Sequence, residues 1–136
     1  MAKELILEHE GKLNFGDYAL SEKGKLDGFE CHGNIYKVKT FRELTKLERD
    51  GMFVYESEPG TNVSDFAQTK DGLSFTVTGF EDAMITVGLQ EDTSYEVTVG
   101  NGAPSLMKTN LGGKLSFSVP LAEGESVAVS MKEKNG

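Results

Sequence analysis

From Leu73 to Met131 apolar and polar side chains alternate with a period of two in five separate runs. Leu73, Phe75 and Val77 alternate with Ser74, Thr76 and Thr78, and Ile85, Val87 and Leu89 with Thr86 and Gly88. The pattern returns at Tyr95, Val97 and Val99, at Leu115, Phe117, Val119 and Leu121, and at Val127, Val129 and Met131. Successive side chains of a strand point to opposite faces, so this period predicts antiparallel strands with one buried and one wet face. Turn-forming residues fall between the runs, at Asp71-Gly72, Gly79 to Asp82, Asn101-Gly102, Gly112-Gly113 and Glu123-Gly124. Pro120 sits on the outward register, which predicts an edge strand or a bulge.

The first half is less regular. Leu5 and Leu7 predict a short opening strand. Leu13 and Phe15 share one parity and Tyr18 and Leu20 the other, with a bend expected at Gly16-Asp17 between them. Phe29 to Phe41 reads as a hairpin around His32-Gly33-Asn34. From Thr40 to Gly51 two readings compete. Thr40 and Glu43 fit a capping box, with Phe41, Leu44 and Leu47 at helical spacing and Gly51 as a stop, which predicts one short helix near 41–50. Asp50-Gly51 before Met52-Phe53-Val54-Tyr55 alternatively reads as a hairpin turn; the helix is preferred. Ser57-Glu58-Pro59-Gly60-Thr61 is the best joint, dividing an irregular β-rich segment, 1–56, from a β-sandwich domain, 57–136. One continuous domain is the alternative.

Between Leu89 and Tyr95 a strand closes, a polar turn follows, and a Tyr opens the next strand. A tyrosine there carries its hydroxyl over the core edge to bond the backbone near Leu89 and lock a sheet-to-sheet crossing. The segment resembles the E–F crossing of fibronectin type III domains. Three apolar segments follow that strand (106–107, 115–121 and 126–131) where the type III fold supplies one, so a jelly-roll-like order is the competing expectation. The fold class expected is all-β, mainly antiparallel: a β-sandwich, immunoglobulin/fibronectin-III-like or jelly-roll-like.

Composition narrows the functional classes. The 136 residues carry a net charge of −8, with two arginines, Arg42 and Arg49, and no Trp. Phosphate binding needs clustered Lys or Arg, so nucleic acid is not an expected partner, and an acidic surface disfavours anionic membranes. The single cysteine, Cys31, excludes an internal disulfide. Leu5-Ile6-Leu7 is too short for a secretory h-region and no run has transmembrane length, so a cytoplasmic location is expected.

Ile35-Tyr36-Lys37-Val38-Lys39-Thr40-Phe41, Gly51 to Ser57, and Met107 to Ser116 resemble a family of small single-domain bacterial proteins that carry the label "endosialidase". The C-terminal pattern is similar to β-sandwich modules that accompany glycoside-processing enzymes. The resemblance implies a link to glycans. Sialidases hold the substrate carboxylate with three arginines, because guanidinium groups give bidentate charge-assisted bonds. Two arginines seven residues apart do not make that triad, and a β-sandwich of this length leaves little room for a glycosidase cleft. The enzyme reading leans to no, with an endosialidase-type hydrolase ranked last.

No other pattern carries chemistry. Cys31-His32 lacks zinc-ligand spacing and reads as a hairpin-tip pair, His9 being distant. Glu81-Asp82 and Glu91-Asp92 flank the 83–89 strand at opposite ends and read as solvated turns, with no calcium-loop pattern. No catalytic residue, metal or cofactor is expected. Tyr18, Tyr36 and Tyr55, from the irregular half, are the candidate ligand or partner surface, and Leu89 and Tyr95 the structural corner. The function expected is a non-catalytic interaction or oligomerisation protein that self-associates or binds another protein; a carbohydrate-binding module is the alternative.

Overall fold

A computed structural model describes residues 5–134. Thirteen strands account for its regular structure: β1 (Ile6–His9), β2 (Lys12–Phe15), β3 (Gly24–Cys31), β4 (Asn34–Phe41), β5 (Leu44–Arg49), β6 (Met52–Glu58), β7 (Asn62–Thr69), β8 (Gly72–Thr78), β9 (Ala83–Gly88), β10 (Ser94–Val99), β11 (Ser105–Lys108), β12 (Lys114–Val119) and β13 (Ser126–Glu133). They form two antiparallel sheets packed as a β-sandwich. One has the order β1-β2-β7-β8-β13-β10-β11 and the other β12-β9-β6-β5-β4-β3. The last strand returns between β8 and β10, the long-return order of Greek-key sandwiches.

The alternating residues of the second half turn inward as their period requires. Leu73, Phe75, Val77, Ile85, Val87, Tyr95, Val97, Leu115, Phe117, Val119, Val129 and Met131 are all buried. Removing these side chains from water is the main force holding the two layers together. Four rings tie the sheets at the centre. Tyr55 meets Phe15 edge-on at 5.3 Å and Phe75 at 5.6 Å between centroids, and Phe66 lies 5.4 Å from Phe15. Strand pairing crosses the expected 56/57 boundary through β2–β7, through β6–β9 and at the Thr45–Ser57 pair of β5–β6.

The helix expected near 41–50 is not formed. That stretch is a tight turn at Arg42-Glu43 followed by β5, which pairs β4 on one side and β6 on the other. Asp50 and Gly51 take positive φ values of 51° and 78°, the two-residue turn whose twist matches a hairpin. Thr45 and Leu47 point inward and are fully buried. A helix this short is marginal by itself, whereas the strand satisfies its backbone against two neighbours. The opening strand forms as β1, with Ile6 as its buried residue and Leu7 partly exposed.

Candidate functional site

At one end of β4, β5 and β6 the inward positions are hydroxyls. Thr40, Thr45, Ser57 and Thr61 have no exposed surface. Thr45 Oγ1 donates to the Thr61 carbonyl at 2.8 Å and accepts from the Thr61 N–H at 3.0 Å. Its one proton is thus committed, so in the 2.8 Å contact between Thr40 and Thr45 the Thr40 hydroxyl is the donor. Thr40 in turn accepts from the Asp17 N–H at 2.9 Å. Thr61 Oγ1 meets the Tyr55 hydroxyl at 2.7 Å and Ser57 Oγ at 2.8 Å. Burial pushes the Tyr55 phenol well above the usual tyrosine range, and the hydroxyls of Thr61 and Ser57 offset part of that rise. Among the described residues no buried side-chain nitrogen or oxygen lacks a partner.

The three tyrosines expected at a ligand surface separate. Tyr55 is fully buried, at the centre of the aromatic cluster, and Tyr36 is buried with 8 % of its surface exposed, at the wall of a cleft. Both lie on the inward register of their strands, where an aromatic ring supplies core volume. Tyr18 is half-buried beside Phe80 at 5.4 Å, with the Arg42 guanidinium 4.1 Å over the Phe80 ring. The structural corner is present in the geometry: the Tyr95 hydroxyl accepts from the Gln90 N–H at 3.2 Å, one residue past Leu89, where the chain crosses between sheets.

Cys31 and His32 sit at the β3–β4 hairpin, with His32 at φ 50° in the turn. A cleft of about 280 Å³ opens beside them, lined also by Tyr36, Arg49 and Phe66. Across its mouth Arg49 donates to Gln68 Oε1 at 2.6 Å, joining the two sheets. Burial, then the charge of Glu8, raises the Cys31 thiol above its ordinary pKa, which disfavours the thiolate. Arg42 and Arg49 stand at opposite ends of β5, one in the preceding turn and one at its last residue. Of the acidic turns, Asp82 accepts from the Leu121 N–H at 3.0 Å, and Asp92 pairs with Lys108 at 3.1 Å. Among the described residues no group of three or more His, Cys, Asp or Glu is placed to hold a metal ion, and no helix is long and apolar enough to cross a membrane.

The two outer faces differ in charge. On the seven-stranded sheet the outward row is small and hydroxylated, with Ser74 opposite Ser130, Thr76 opposite Ala128 and Thr78 opposite Ser126. On the six-stranded sheet the outward face of β3–β5 carries four lysines, Lys25, Lys37, Lys39 and Lys46, and Lys23, just before β3, joins them. Lys25 lies directly opposite Lys39, and Lys39 directly opposite Lys46. The charges of Lys23 and Lys25 hold the Lys39 ammonium below its ordinary pKa, with slight desolvation and the charges of Lys46 and Lys37 adding to the effect. Two carboxylates share this face: Glu48, directly opposite Lys37 and 3.7 Å from Lys46, and Glu56, directly opposite Lys46. The net charge of −8 thus conceals a grouped basic surface that sequence reasoning missed. Its lysines are spread over 24 residues of chain without a charge run, and only the strand register brings them together.

Comparison with known proteins finds no matching family model, no matching curated protein and no matching solved structure.

Proposed function

We propose that this chain is a non-catalytic β-sandwich interaction protein, which self-associates or docks a partner protein through an outer sheet face. The observation that carries the reading is the lysine row on β3–β5. Like charges set directly opposite one another cost stability, and an acidic chain has ample carboxylates with which to avoid the arrangement. A surface kept at such a cost is a surface with a use. Among the described residues β3 and β12 are the terminal strands of the six-stranded sheet, and their outer edges add backbone groups that a partner strand can pair with. The test is the solution mass by light scattering across a concentration series, combined with a pull-down. A strictly monomeric mass at high micromolar concentration together with no captured partner overturns the reading.

A carbohydrate-binding module is the second reading. It is favoured by the half-buried Tyr18 beside Phe80, an aromatic of the kind that stacks on a sugar ring. A glycan array without hits removes it.

A further inference from the structure

We propose that the lysine face of β3–β5 is a docking surface for an extended acidic polypeptide segment, a step that rests on the interaction-protein reading and names its partner's chemistry. Lys37 and Lys39 stand two residues apart on β4, and Lys25 lies on β3 directly opposite Lys39, with Lys23 just before that strand. Residues two apart on a strand lie on one face about 7 Å from each other. An extended peptide repeats its own side chains at that interval, so alternate Glu or Asp residues of a segment lying along β3 and β4 meet successive ammonium groups. Lys46 extends the row across a third strand, about 5 Å further on.

Two features favour a polypeptide over a nucleic acid. The aromatic on this face, Phe41, is covered by Lys23 at 5.7 Å, so it is not a free stacking platform for bases. Beyond the patch, the chain's net charge of −8 repels a long polyanion, whereas a short acidic segment is confined to the basic area.

The test is fluorescence anisotropy with the full chain and a short labelled peptide of alternating Glu. An alternating Gln peptide and a single-stranded oligonucleotide of equal charge serve as comparison probes. The Glu peptide is expected to bind with an affinity that falls as salt rises, and the Gln peptide not to bind. Replacing Lys25→Glu and Lys39→Glu together is expected to weaken binding at least about tenfold. The milder Lys39→Gln, which relieves the like-charge contact, is expected to keep or raise the melting temperature while still weakening the peptide. Tighter binding of the oligonucleotide than of the Glu peptide overturns the proposal, as does equal binding of the Gln peptide or none of the Glu peptide. A chain that forms larger assemblies in light scattering yet ignores the Glu peptide keeps the interaction-protein reading and loses this one.

Discussion

The inward positions of β8–β10, β12 and β13 and those of β4–β6 fill one interior by different chemistry. In the first group the buried residues are almost all apolar, from Leu73 through Phe117 to Met131. In the second, Thr40, Thr45 and Ser57 share the inward register with Tyr36, Val38, Leu47 and Tyr55. Both are sealed from water. Apolar contact is non-directional and tolerates exchange for a residue of similar volume. A buried hydroxyl is stable only while each donor and acceptor is in place. The apolar region therefore supplies buried area, and the hydroxyl region fixes how β4–β6 meet the turns at Asp17 and Thr61.

The contrast can be broken by substitution. Phe117→Ala leaves a cavity in the apolar region and is expected to cost about 3–5 kcal/mol in denaturant unfolding. A loss below about 1 kcal/mol would show the site collapses freely. Thr45→Val preserves side-chain shape but strands the Thr61 N–H and carbonyl and the Thr40 hydroxyl. About 2–3 kcal/mol is expected, because buried groups are left unsatisfied. An unchanged midpoint would erase the distinction between the two regions. Tyr95→Phe removes a single partly buried bond at the sheet crossing and is expected to cost about 1 kcal/mol. A matching midpoint would mean the corner bond contributes nothing.

The smallest effect at neutral pH belongs to the Tyr55 phenol, whose folded pKa is raised above the ordinary 10.0. Below that pH the phenol is neutral in both folded and unfolded chains, and the linkage contributes no change. Above it the unfolded chain loses the proton while folded Tyr55 keeps it, so stability falls as pH rises. Alkaline unfolding followed by near-ultraviolet absorbance is expected to show a Tyr55 ionisation that appears only as the fold is lost. Tyr55→Phe removes that share of the alkaline slope. Four tyrosines ionising before unfolding would place Tyr55 in contact with water.

The same contrast decides how much of the chain is legible from its residues. The strands of the second half are read directly, since Phe75, Val87, Val97 and Phe117 report their burial by alternation alone. β5 reads as a helix because Thr45 occupies an inward position and Leu44 a half-exposed one, leaving Phe41, Leu44 and Leu47 at intervals of three. β7 is hidden for a related reason. Asp65 at φ 54° interrupts the register, so its buried residues Val63 and Phe66 are also three apart. Of the candidate site, Tyr18 is the tyrosine left half-buried, and the lysine face was not foreseen at all.

By itself the sequence determined the all-β class, the register of the later strands and the Tyr95 corner, because burial on a pleated strand imposes a local period that any single segment displays. Only the tertiary structure decided that Tyr36 and Tyr55 are interior, that scattered hydroxyls close into one network, and that distant lysines share a face. Those outcomes depend on which strands lie side by side, and cross-strand neighbours are set by register between segments far apart along the chain.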